Sequence, residues 1–442
     1  MPSAVYIAPK SVMKHTVEEV TLKNGTKGLF VHIPDATVMN VYINFRAGEY
    51  LVDGKKWETP HLMEHILLGA NDEYPRARDF QAEVEKNGAY SNASTDVYDI
   101  VYETECADFE WERVARLLKT AIERPLFLQE EFDAEFGNVR EELAARANNH
   151  YRQLGAASRK AYGLVSETDK ERLALMDNVT LDDVREHYRR THTSDNMRFV
   201  IAGNITPKRR AVLAEMLETI QLPRGERFDM PEEAVLNLKK PVCIPNETVD
   251  TLYFYIDTFI KRRLSETEVD ALGLVNALLT ETLYSKILGT ARERGLVYGM
   301  NSGYQQIKLS SNLWFGSQVS VANAPALFDI VTEQLGNLFR GELAEADIVA
   351  AQAYAIGRYQ RSAQTVASTA AGYTGRYFFD EYIDDFYAVP ERIEAVTKQQ
   401  IVDVTRAMFS EGIGGLGVYG SVTPKLADEL NTQIAVLWQQ VK

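Results

Sequence analysis

Along the 442-residue chain, short runs of alternating apolar and polar residues are separated by longer runs with apolar residues three and four apart. The period of two predicts strands in the first half at 28–34, 40–46, 97–104 and 197–202, and in the second half at 251–257, 312–320 and 415–419. The period near 3.6 predicts long helices between them. The segment from Gln129 to Tyr151 reads as one such helix. Phe132, Phe136, Val139 and Leu143 recur at steps of four, three and four, and define its buried stripe.

The pattern occurs twice. The segment from Val179 (VTLDDVREHYRRTHTSDNMRFVIAGNITPK) aligns without a gap to the one from Val396 (VTKQQIVDVTRAMFSEGIGGLGVYGSVTPK), at an offset of 217. Its anchors are Val-Thr, a single Gly, and Thr-Pro-Lys. Thr180 and Thr397 suit helix N-caps, a short apolar strand then ends at Gly203 or Gly420, and Thr206 or Thr423 caps a helix with Pro at its first position. This predicts an α+β protein of two homologous domains related by internal duplication. They are a first domain over 1–222, a charged, proline-containing linker over 223–245, and a second domain over 246–442.

Composition removes several classes. Apolar residues make up 45% and charged residues 25%, an ordinary globular mixture. The net charge of −15 argues against a nucleic-acid partner. Two cysteines, Cys106 and Cys243, cannot build a disulfide framework, so a reducing, cytoplasmic setting is expected. The first twenty residues carry no apolar leader pattern, and no apolar run is long enough for a membrane span.

The sharpest local chemistry is the run Thr59-Pro60-His61-Leu62-Met63-Glu64-His65-Ile66-Leu67-Leu68-Gly69. Thr59 as N-cap, Pro60 as first helical residue and Gly69 as terminator predict a short helix. On it His61 and His65 lie one turn apart on one face, a spacing that lets both bind one Zn²⁺. Glu64 sits beside that face, placed to take a proton from a water molecule. A third ligand is required. On the 129–151 helix, Glu141 points away from the buried stripe, whereas Glu142 and Glu135 lie on its flank, so either of these two is placed to reach an interior metal.

His61-Leu62-Met63-Glu64-His65, followed after 76 intervening residues by Glu142, resembles the inverted zinc motif of the M16 (pitrilysin/insulinase) metallopeptidase family. The resemblance implies that His61, His65 and Glu142 hold one Zn²⁺ per chain, that Glu64 is the general base, and that Glu135 supports the site from behind. Gly88-Ala89-Tyr90-Ser91-Asn92-Ala93-Ser94-Thr95 is similar to the family stretch leading into the edge strand that pairs with substrate. Asn92, Ala93, Ser94 and Thr95 are therefore implied to bind peptide backbone. Thr290 to Tyr298 resembles the segment that supplies an Arg and a Tyr to hold the substrate carbonyl. Tyr298 falls in place, but the family's Arg position is Ala291, and Arg292 stands one step away. The usual Gly shortly before the first His is also missing, and Trp57-Glu58-Thr59-Pro60 stands there instead.

The resemblance implies a fold of paired α/β-sandwich domains, like the LuxS/MPP-type metallohydrolases. It also implies zinc endopeptidase activity on peptides or unfolded segments, and a homodimer or a heterodimer with a paralogous subunit. The alternative of another class is a non-catalytic or partner-dependent subunit of a heterodimeric processing complex.

Overall fold

A computed structural model describes residues 12–439. Residues 1–11 and 440–442, at the outer ends of the two predicted domains, lie outside the described residues, as does much of the stretch read for a leader. The chain packs into two compact units. Of the described residues, the first comprises 12–144, 170–230 and 360–386, and the second comprises 145–169, 231–359 and 387–439.

The first unit is built on a six-stranded sheet. Its strands are β1 (Thr16–Thr21), β2 (Lys27–His32), β3 (Val38–Phe45), β4 (Tyr90–Thr95), β5 (Ile100–Ala107) and β6 (Met197–Gly203), in the order β1-β2-β6-β3-β5-β4. Only β2 and β6 run parallel. Helices Trp111–Glu123, Leu181–Thr191 and Pro207–Glu218 contribute to its core, around Phe45, Leu118, Val184, Phe199 and Leu213. The helix Val366–Asp380, from late in the chain, packs on β6 and β3.

The second unit repeats the plan. Its strands β7 (Val242–Pro245), β8 (Thr251–Ile260), β9 (Met300–Gln306), β10 (Ser311–Ser320) and β11 (Ile413–Gly420) are ordered β7-β11-β8-β10-β9. Here β7 and β11 form the parallel pair. The core holds Phe254, Val275, Phe315, Phe328, Phe409 and Leu416. The helix His150–Ala161, from the first half, packs on β11, β8 and β7. It starts within a residue of the repeat equivalent of Val366–Asp380. The two halves of the chain thus exchange corresponding helices.

The repeat anchors do the physical work expected of them. Thr180 and Thr397 each close a capping box, with Asp183 and Gln400 respectively. Thr206 caps the helix that starts at Pro207. Gly203 and Gly420 end their strands at φ +155° and +113°, a region that disfavours side chains.

Several local expectations are corrected. The predicted 129–151 helix is two helices, Gln129–Arg146 and His150–Ala161, because the Asn149 side chain accepts from the Arg152 N–H and starts a new helix. The 223–245 stretch is irregular only as far as residue 241. Its last four residues are β7, and Val235 within it is buried. Edge strands β1, β4 and β9 lack the regular apolar alternation of the inner strands. Among the described residues, no helix is long and apolar enough to cross a membrane.

The strand-ending glycines set a stability order. At Gly420 an added Cβ would fall 2.2 Å from the Thr251 carbonyl oxygen, whereas at Gly203 the nearest atom, the Val38 carbonyl oxygen, is 3.1 Å away. Gly420→Ala is expected to cost at least about 1–3 kcal/mol, and Gly203→Ala less. Gly357→Ala, in the helix Glu345–Ser362 with open space around it, is expected to stabilise by about 1 kcal/mol. Urea unfolding of the three variants checks the order.

Candidate metal centre

The helix Thr59–Leu67 carries the two histidines. Pro60 sits in its first turn, where no N–H is needed. Leu62, Met63, Ile66 and Leu67 are buried in the core of the first unit and fix the helix in place. Thr59 is not the N-cap expected from sequence. The helix includes it, its hydroxyl donates to the Lys56 carbonyl, and Glu58 occupies the cap position without a capping bond. The Glu58 carboxylate is committed elsewhere. It lies 2.9 Å from His61 Nδ1 and accepts from Arg172 Nε and Nη2 at 2.5 and 2.9 Å.

The two imidazoles, 5.0 Å apart between ring centroids, are each held from behind by a carboxylate. Glu58 holds His61 Nδ1, and Glu135 Oε2 holds His65 Nδ1 at 2.8 Å. A carboxylate on Nδ1 keeps the proton there and leaves Nε2 free as a ligand. Both Nε2 atoms face one oxygen, Glu142 Oε2, at 3.4 and 3.5 Å. Glu135 and Glu142 come from Gln129–Arg146, where they are half-buried while Glu141 is exposed. Phe132, Val139 and Leu143 bury the stripe that turns the helix this way.

These separations suit a zinc ion. Two ligand atoms about 2.0–2.2 Å from a tetrahedral zinc lie roughly 3.3–3.6 Å apart. The donor set of two imidazoles and one carboxylate is also one that zinc takes in catalytic sites. The electrostatics agree. Burial pulls the His65 pKa down, but Glu135 and Glu142 overcome it and push the ring up to about 10. For His61 the same opposition, with Glu142 and Glu58 against burial, also ends in an upward shift. The site is an anionic field that favours positive charge at the two Nε2 atoms. Glu58, whose side chain is completely buried, is raised by burial, yet His61 and Arg172 hold it down to about 2.

Glu64 completes the cluster. One of its carboxylate oxygens and a ring nitrogen of each histidine lie within 4.8 Å of one another. Its Oε2 accepts from the Thr95 hydroxyl at 3.0 Å. Thr95 ends β4, the outermost strand of the sheet, on which Asn92, Ala93 and Ser94 also lie. The left-handed pair Asn87 and Gly88, at φ 61° and 78°, turns the chain from the helix Ala77–Glu85 into that edge.

Arg292 and Tyr298 belong to the second unit. Ala291, in the place of the family's Arg, is fully buried, so a long charged side chain has no room there. One step along the helix Leu288–Glu293, Arg292 is exposed. It donates to the Tyr298 carbonyl, and its guanidinium lies 4.9 Å from the Tyr298 ring centroid. Tyr298 is 88% exposed. Sequence reasoning missed Glu58 and Arg172. The i,i+3 spacing of Glu58 and His61 was a readable signal, whereas Arg172, 114 residues from Glu58, had none.

Comparison with known proteins agrees with this architecture. The family model described as "Insulinase (Peptidase family M16)" matches residues 39–169, and "Peptidase M16 inactive domain" matches 178–354. A curated relative, "Probable zinc protease PqqL" of Escherichia coli (strain K12), is 23% identical over 197 residues. That match covers 42% of this chain and 21% of the relative, so the chain spans about a fifth of its length. Among solved structures, a protease from Helicobacter pylori aligns with TM-score 0.79 at 18% identity, over 92% of this chain and all of the other. A peptidase M16 inactive domain from Pseudomonas fluorescens aligns with TM-score 0.78 at 15% identity, over 92% and 99%. A chain of complex III2 from Candida albicans gives 0.75 at 12% identity, over 95% and 100%. With both M16 models matched in order along a duplicated α/β fold, the chain belongs to the M16 peptidase family.

Proposed function

We propose that this chain is a zinc endopeptidase that hydrolyses peptide bonds in extended polypeptide. The observation that carries the reading is the convergence of His61 Nε2 and His65 Nε2 on Glu142 Oε2 at 3.4 and 3.5 Å, with Glu64 beside them. His61, His65 and Glu142 would hold the zinc. When bound, zinc acts as a Lewis acid and brings the pKa of a coordinated water to about 7.

The chain's own residues supply the rest. Glu64 accepts the proton of the attacking water as its oxygen bonds to the scissile carbonyl carbon. It returns that proton to the amine nitrogen as the C–N bond breaks. The Thr95 hydroxyl donates to Glu64 and so fixes the carboxylate against the end of β4. The outer edge of β4 suits a substrate added as a strand, bound through main-chain hydrogen bonds with little demand on its sequence. Glu58 and Glu135 fix both ring tautomers, and Arg172 makes the burial of Glu58 tolerable.

One observation favours a partner-dependent form of this activity. Arg292 is already engaged with the Tyr298 carbonyl and ring, which leaves the donor for the substrate carbonyl to a paralogous second subunit. In that form the purified chain binds zinc but cleaves only when the partner is added.

Mass spectrometry of mixed unfolded peptides incubated with the purified chain tests the reading. Cleavage by the wild type is expected, and Glu64→Gln is expected to keep zinc and lose about 10²–10⁴-fold in turnover. A Glu64→Gln variant with wild-type turnover removes Glu64 as the base. His61→Ala and Glu142→Ala are each expected to lose zinc, measured as metal per chain. Arg172→Met leaves the Glu58 carboxylate buried with no guanidinium beside it and only His61 as a partner. It is expected to cost about 3–5 kcal/mol in urea unfolding and about 10–100-fold in zinc affinity.

A further inference from the structure

In the second unit, a cavity of about 150 Å³ lies between the sheet and the C-terminal end of the helix His150–Ala161. Asp257 on β8 and Arg159 on the helix both line it, yet they form no ion pair with each other. Asp257 accepts one long bond, from Asn312 Nδ2 at 3.3 Å, and Arg159 donates one, to Gln305 Oε1 at 3.4 Å. Two further groups lining the cavity, the Tyr162 and Ser158 hydroxyls, are buried without any partner. Unpaired buried polar atoms are costly, and four underused polar groups around one small space call for an explanation. Burial pushes the Asp257 carboxyl up to about 7 against the pull of Arg159 and Asn312, which marks a carboxylate short of positive partners.

The first unit shows what this place looks like when it is filled. There Asn44 on β3 donates to Asp99 at 2.7 Å, the same pair with the two residue types interchanged. Arg198 stands opposite Asn44 on the next strand, where the second unit has Gly415 opposite Asp257. Arg198 pairs with Glu381, which ends the helix Val366–Asp380. Gly415 brings no side chain; Leu238 and the Tyr162 hydroxyl lie over it instead, so no charged group enters from this strand and the polar groups of the nearby cavity stay unmatched. Its apolar wall includes Tyr255 and Trp314, whose rings meet edge to face at 5.5 Å and lie across Gly316 and Gly303.

We propose that this cavity binds a free α-amino acid with a small side chain, as the zwitterion, its ammonium on Asp257 and its carboxylate on Arg159. A ligand carrying both charges satisfies two groups that are too far apart to satisfy each other. The size agrees, because a cavity near 150 Å³ accepts a molecule of about six heavy atoms, the size of alanine. The proposal stands on the second unit alone and does not depend on the peptidase reading.

Titration calorimetry of the full chain tests it, with L-alanine against propionate and ethylamine, each of which lacks one of the two charges. L-alanine is expected to bind one site per chain, at least about tenfold more tightly than either control. Asp257→Asn and Arg159→Gln are each expected to weaken it by about tenfold or more, with folding checked by circular dichroism. Binding is expected to persist unchanged in Glu142→Ala, which excludes chelation of zinc by the amino acid. Three results overturn the proposal: no saturable binding of L-alanine to the wild type, ethylamine or propionate binding as well as L-alanine, or loss of binding in Glu142→Ala. The comparison of ligands on the wild type decides the matter even if a variant fails to fold.

Discussion

The candidate metal centre depends on the burial of one carboxylate. Glu58 has no exposed side-chain surface, and a lone carboxylate in that position would take up a proton rather than remain charged. Arg172 prevents this with two hydrogen bonds, and the ionised carboxylate in turn fixes His61. Such a pair adds little net stability compared with apolar residues of the same shape. What it provides here is direction. His61 Nε2 faces Glu142 because its other nitrogen is held, and His65 is oriented the same way by Glu135.

That requirement couples the site to the path of the chain. Glu142 lies just before the segment 145–169 leaves for the second unit, and Arg172 lies just after the chain returns. Glu142 and Arg172 therefore bracket an excursion whose helix, His150–Ala161, packs on the other sheet. The short break at 147–149, with Asn149 as a new N-cap, separates a helix that aims Glu135 and Glu142 inward from one that serves a different core. One continuous helix could not serve both.

Much of this was legible in the sequence, for identifiable reasons. Inner strands are buried on at least one face, so they alternate or run apolar. The repeat anchors are residues whose backbone roles few others fill, Thr and Pro at helix starts and Gly at positive φ. The inward turn of Glu135 and Glu142 followed from a stripe of three buried side chains and one half-buried phenylalanine on their own helix. The illegible parts are non-local or weakly patterned. Nothing near Arg172 in sequence announces Glu58. Edge strands such as β9 (MNSGYQQ) face solvent widely enough to lose their period. The exchange of helices leaves no mark, because each exchanged helix is as amphipathic as one that stays with its own half.

Duplication explains how one scaffold carries two different sets of polar side chains. The residues kept in both halves are those that set backbone geometry, whereas the side chains projecting from the shared frame have diverged. All seven histidines lie at or before residue 192, and six of them pack in the first unit. The seventh, His150, travels with the excursion and stacks on Tyr419 at 4.9 Å between ring centroids, so it serves packing in the second unit. Opposite Asn44 the frame holds Arg198, locked to Glu381, and opposite Asp257 it holds Gly415. A backbone fixed by caps and glycines tolerates such changes because they alter neither strand register nor helix ends. One half therefore placed an ion pair here and gathered the candidate metal site elsewhere, while the other put Leu238 over Gly415 and kept a polar cavity beside it.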